Sequence, residues 1–136
     1  MVPSSSLSSI ALATAAVVYV GYRYVTRSKG TDWKYYDGKV LLVTGASSGI
    51  GKEFCLQLVK RSEVKLVLSS RSEATLNDVK AELVEAGAKD GNIAVVPLDL
   101  GEQETLVEAM EEAFACFGHI DLLFNNAGIS QRSLAR

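Results

Sequence analysis

The chain has 136 residues, 48% of them hydrophobic, which is enough for one domain with a modest core. Of its 14 basic side chains only Arg23, Arg27 and Lys29 precede Asp32, whereas all 16 acidic ones lie from Asp32 onward. So acidic a body excludes the basic footprint of a nucleic-acid binder, and the lone His119 leaves nothing from which to build a metal-ligand cluster.

Residues 1–30 begin with a Ser-rich stretch and continue into LSSIALATAAVVYVGYRYV at 7–25. This run just reaches the about 20 residues that span a bilayer's hydrocarbon. A cleaved signal peptide needs a basic start, and residues 1–9 carry no charged side chain, so a membrane anchor is favoured. The basic cluster follows the run, which places the domain beyond it on the cytosolic side. Tyr19, Tyr22, Tyr24, Trp33, Tyr35 and Tyr36 suit a membrane interface, or else pack on the domain.

Residues 31–136 read as alternating strands and helices. Strands are expected at 40–44, 64–69, 93–98 and 121–125, and helices at 50–61, 73–85 and 102–117. In the last helix Leu106, Ala109, Met110, Ala113, Phe114 and Phe117 recur on one face. Ser72 reads as the N-cap of the middle helix, while Gly87 and Gly118 follow helix ends. Cys55 and Cys116 fall in helical stretches and read as buried free thiols. The β-α-β-α-β-α-β order implies an α/β fold, a parallel sheet with right-handed crossovers and helices on its faces.

The first strand breaks into VLLVTGASSGIGK, a loop of spacing G-x-x-x-G-x-G that leads into a helix. The N-terminus of a helix carries unpaired N–H groups and partial positive charge, so it attracts phosphate. Gly45 permits the turn, Gly49 lets the backbone approach a pyrophosphate, and Gly51 lets the helix lie close to the strand. About 20 residues on, the second strand ends in Ser69-Ser70-Arg71. A carboxylate there would hold a ribose 2′-hydroxyl, whereas Arg71 suits a 2′-phosphate, so NADP is expected over NAD. A methyltransferase would also want an acidic residue at Ser70 or Arg71, which disfavours that reading.

Thr44-Gly45-x-x-x-Gly49-Ile50-Gly51 together with Asn125-Asn126-Ala127-Gly128 resembles the short-chain dehydrogenase/reductase family. Pro97-Leu98-Asp99-Leu100 and Ile129-Ser130-Gln131-Arg132-Ser133-Leu134 look most similar to its dehydrogenase/reductase member 7 branch. The resemblance implies a Rossmann-type doubly wound parallel sheet, its first half in strand order 3-2-1-4, within a membrane-associated oxidoreductase of the endoplasmic reticulum. Such an enzyme moves hydride between a nicotinamide and a carbonyl or alcohol of steroid, retinoid or other lipid-like type. It implies that Ser47, Ser48 and Ile50 touch phosphates and that Asp99 lies near the adenine. Asn125, Ala127 and Gly128 would line the adenosine and nicotinamide-ribose side, although the Asn125 side chain could equally brace neighbouring strands. NADP-using members often carry a basic residue just before the second glycine. Here that residue is Ser48, so the preference rests on Arg71.

The resemblance also implies a catalytic Ser, Tyr and Lys beyond the fourth strand. A Tyr of ordinary pKa, near 10, needs a nearby cation to work at neutrality. None of the three is expected within this sequence, which is read as the cofactor-binding half of a longer enzyme, inactive by itself. The rival reading is a non-catalytic nucleotide-binding or interaction protein. Tyr35 and Lys39 match the family's Tyr-x-x-x-Lys spacing, but Asp37-Gly38 reads as a turn, and both precede the first strand.

Overall fold

Runs of Val and Leu form four parallel strands: β1 (Val40–Thr44), β2 (Lys65–Ser69), β3 (Ile93–Val95) and β4 (Leu122–Asn125). They lie in the order β3-β2-β1-β4 in a computed structural model that describes residues 32–128. Segments 7–25 and 129–134 lie outside the described residues, and with them the expected anchor and the end of the branch motif. Between the strands run helices α1 (Gly49–Val59), α2 (Glu73–Glu85) and α3 (Leu106–Phe117). None of the helices among the described residues is long and apolar enough to cross a membrane.

The continuous apolar runs are explained by burial on both faces of the sheet. Leu41, Val43, Leu66 and Leu68 meet Cys55 and Leu58 of α1 and Leu76, Val79 and Leu83 of α2. Their strand neighbours Val40, Leu42 and Val67 face the other way, onto Ala109 and Ala113 of α3. Each fully buried Leu or Val contributes roughly 1.5–3 kcal/mol, so the two layers pin the strand register from both sides. β1 is buried along its whole length. β4 pairs with β1 alone among the described residues, and only alternate residues of it are covered.

Local signals in the sequence account for most element boundaries. Ser72 caps α2 by accepting from the Thr75 N–H at 3.4 Å. Gly118 ends α3 in the left-handed region at φ 80°, and Asp37-Gly38 forms a turn with Gly38 at φ 72°. Four expectations need correction. Regular β3 stops at Val95, although Val96 and Leu98 still donate to the Leu68 and Ser70 carbonyls, and the missing N–H of Pro97 falls on the side away from β2. A 3₁₀ turn, Gln103–Thr105, occupies the start of the third predicted helix. Phe114 is 47% exposed, because the small Ala109 and Ala113 form the seam that lies on the sheet. Cys116 is exposed and donates to the Glu112 carbonyl, whereas Cys55 is buried.

The segment before β1 forms a 3₁₀ turn, Trp33–Tyr36. Trp33 and Tyr36 lean partly on the α1/α2 side of the core, and Tyr35 faces outward.

Candidate functional site

Strand register places Thr44, Ser69 and Asn125 side by side at the carboxyl edge of the sheet. Thr44 organises this edge. Its hydroxyl accepts from the N–H groups of Asn126 and Ala127, both at 3.1 Å, and donates to Asn125 Oδ1 at 3.3 Å. The Asn126 amide donates to the carbonyls of Thr44 and Gly45 at 3.4 and 3.3 Å. The loop after β4 is thereby fastened to the loop after β1.

The glycines serve different needs in this arrangement. Gly45 turns the chain at φ 65°, and a Cβ there would stand 2.9 Å from Ala127 Cα. A Cβ on Gly51 would lie 2.3 Å from the Gly45 carbonyl oxygen and 2.7 Å from Asn126 Nδ2, so α1 approaches β1 only because Gly51 has no side chain. Gly49, at φ 56°, borders open space on the side where a Cβ would stand. Ser48 caps α1 without a side-chain hydrogen bond, and the helical ladder starts only with Lys52 N–H to the Ser48 carbonyl. The N–H groups of Gly49, Ile50 and Gly51 therefore head the helix with no intrahelical acceptor.

These elements surround a crevice of about 750 Å³. Of the residues singled out from sequence, Gly45, Ser47, Ser48 and Ile50 line it from the α1 side, and Arg71, Asp99, Ala127 and Gly128 from the other strand ends. Gly49, Gly51 and Asn125 do not. Gly51 lies packed beneath the loop, and the Asn125 side chain is engaged by Thr44. Arg71 and Asp99 are the charged side chains of the lining, and Asp99 Oδ1 already accepts from the Gly101 N–H at 2.9 Å. Ile50 and Leu100 are 74% and 47% exposed and offer apolar surface at the crevice.

Several lining residues carried no assigned role in the sequence reading: Thr44, Ser69, Ser70, Leu98, Leu100 and Asn126. Asn126 stood inside the quoted Asn-Asn-Ala-Gly motif, and its function as a clamp follows only from the spatial meeting of two loops. Ser69 and Ser70 are the more informative pair. Their hydroxyls are buried and have no hydrogen-bond partner, a cost of about 1–3 kcal/mol for each. A nucleotide fits this lining well. The helix N-terminus suits a diphosphate, Ile50 and Leu100 suit flat ring faces, and the orphaned hydroxyls with Arg71 suit a ribose and its 2′ substituent.

Tyr35 and Lys39 do meet, with Lys39 Nζ 4.8 Å from the ring centroid. They do so ahead of β1, however, at the end of the strand opposite the crevice.

The short chain dehydrogenase family pattern matches residues 39–136. Dehydrogenase/reductase SDR family member 7 of Mus musculus is 46% identical over 104 residues, which cover 76% of this chain and 30% of that protein. The chain thus spans about a third of the length of the curated relatives it matches. A metagenomic short-chain oxidoreductase solved with NADP superposes with a TM-score of 0.61 at 32% identity, over 69% of this chain and 41% of that one. A Burkholderia phymatum short chain dehydrogenase/reductase solved with NAD gives 0.60 at 35% identity, over 69% and 32%. A parallel sheet ordered β3-β2-β1-β4, a glycine-turned loop leading into α1 and a pattern match through residue 136 agree: this chain belongs to the short-chain dehydrogenase family.

Proposed function

We propose that this chain is the cofactor-binding part of an NADP-dependent oxidoreductase acting on a carbonyl or alcohol of lipid-like character. When bound, the nicotinamide would supply the hydride. The chain's own residues would bind and orient the dinucleotide. The α1 N–H groups with Ser47 and Ser48 would receive the diphosphate, Asp99 and Leu100 would border the adenine, and Ala127 and Gly128 would border the nicotinamide side. The observation that carries the reading is the end of β2. There Ser69, Ser70 and Arg71 share one crevice with the α1 N-terminus, and no carboxylate stands at the strand end.

The similar solved structures hold NADP in one case and NAD in the other, so the fold accepts both and selection falls to the side chains. A charge-assisted bond from Arg71 contributes about 1.5–3 kcal/mol, or roughly a 10- to 150-fold preference for the 2′-phosphate. Arg71→Ala is therefore expected to weaken NADPH by about that factor and NADH little, measured by competitive titration. Equal losses for the two nucleotides would remove Arg71 as the selector. We also assign segment 7–25 as a membrane anchor, with the domain on the cytosolic side of the endoplasmic reticulum. Flotation of the full chain with vesicles tests that assignment.

A further inference from the structure

The crevice occupies the carboxyl edge of the sheet, while the aromatic segment Trp33–Tyr36 occupies the opposite end, ahead of Val40. Five residues of β1 separate the two, about 15 Å. Three aromatics fall within four residues there, and two of them carry cations. Lys39 Nζ lies 4.8 Å from the Tyr35 ring centroid, and Arg61 Cζ lies 5.1 Å from that of Trp33. Tyr35 is 55% exposed.

Three acidic groups at this end have other partners as well. Asp37 Oδ1 accepts from the Glu63 N–H at 2.8 Å, Glu63 pairs with Lys89 at 3.3 Å, and Asp121 pairs with His119 at 3.2 Å. Lys39 and Arg61 each lie over an aromatic face, although Asp121 is near enough to feel the Lys39 charge and Arg61 also donates to the Gln57 carbonyl at 3.3 Å. Rings with a wet polar tip, flanked by long cationic stems, are the side chains that settle at the level of lipid headgroups. Along the sequence, seven residues lie between Val25, the last of the apolar run, and Trp33. Fully extended they reach at most about 25 Å.

We infer that the face carrying Trp33, Tyr35, Lys39 and Arg61 rests on the headgroup region of a lipid bilayer, so that the crevice opens away from the membrane. The inference depends on the proposed anchor. Its test exploits Trp33, the single tryptophan of the chain. The full chain is reconstituted into phosphatidylcholine–phosphatidylserine vesicles whose acyl chains carry bromine either near the headgroup or near the chain end. Flotation with the vesicles is expected, with Trp33 emission cut roughly twofold or more by the shallow bromines and little by the deep ones. A Tyr35→Ser, Lys39→Glu variant should still float and still bind NADPH, yet lose most of that quenching.

Flotation with unquenched Trp33 would overturn the docking and leave the anchor standing. Quenching unchanged in the double variant would also overturn it, because the tether alone would then hold Trp33 near lipid. A chain that fails to float overturns the anchor and the bilayer contact together.

Discussion

Gly49 and Gly51 are two residues apart and have different physical reasons to be glycine. Gly51→Ala drives a methyl to 2.3 Å from a backbone carbonyl, an overpacking expected to cost about 1–3 kcal/mol and to spread the α1 loop. Gly49→Ala meets no atom, only a left-handed backbone at φ 56°, and should cost about 1–2 kcal/mol with the α1–β1 contact intact. Urea denaturation of both variants, read with nucleotide titration, separates packing from conformational strain. Spacing in the sequence was enough to assign Gly51 its packing role. It did not show that Gly51 makes room for Asn126, a residue far along the chain. The two cysteines also part company at this scale. Burial pushes the Cys55 thiol from 9.0 to about 12, so it stays protonated, and the stability this neutral thiol contributes is lost as pH climbs through that window. Cys116 is exposed, and its thiol is raised by partial burial and by Glu112. A maleimide reagent should label Cys116 in the native protein and reach Cys55 only after denaturation. Prompt labelling of both would contradict the buried placement of Cys55.

At the level of elements, the loops after β1 and β4 hold each other through two side chains, Thr44 and Asn126. Thr44→Val keeps the shape but leaves the Asn126 and Ala127 N–H groups without their acceptor. It should cost about 1–3 kcal/mol and weaken nucleotide binding, whereas Thr44→Ser keeps the hydroxyl and should stay close to the parent. Chemical denaturation of the pair measures the difference. Periodicity and Gly, Ser and Pro punctuation were sufficient to place β1, α2 and the end of α3. They did not foresee that regular β3 would stop at Val95, nor that α3 would turn Ala109 and Ala113 rather than Phe114 toward the sheet. Apolar spacing marks an amphipathic face but not which part of it makes the closest approach, and that is decided by side-chain volume against the strands beneath.

Over the whole molecule, one exposed carboxylate ties the first strand to the last. Asp121 accepts from the Val40 N–H at 2.8 Å, and this bond, aided by His119 and Lys39, holds its carboxyl below the usual carboxylate range. A depressed value means the contribution is present above the ordinary carboxylate pKa, near 4, and is lost as pH falls through the folded one. Asp121→Asn should therefore flatten the acid limb of a stability-against-pH curve while leaving the neutral region less affected. The two-sided core was legible in the sequence, because it follows from local pattern plus the rule that parallel strands need covered crossovers. The sheet order, and much of the half of the crevice lining that was foreseen, came instead with the family resemblance. The orphaned hydroxyls of Ser69 and Ser70 were not legible, since burial without a partner is a property of three dimensions. The most direct measurement of the central claim is a binding isotherm of the purified chain with NADPH and with NADH. Saturable binding of both, NADPH the tighter by roughly 10- to 150-fold, is the expected result. A folded chain that ignores both nucleotides at millimolar concentration would contradict the grip assigned to the α1 N-terminus.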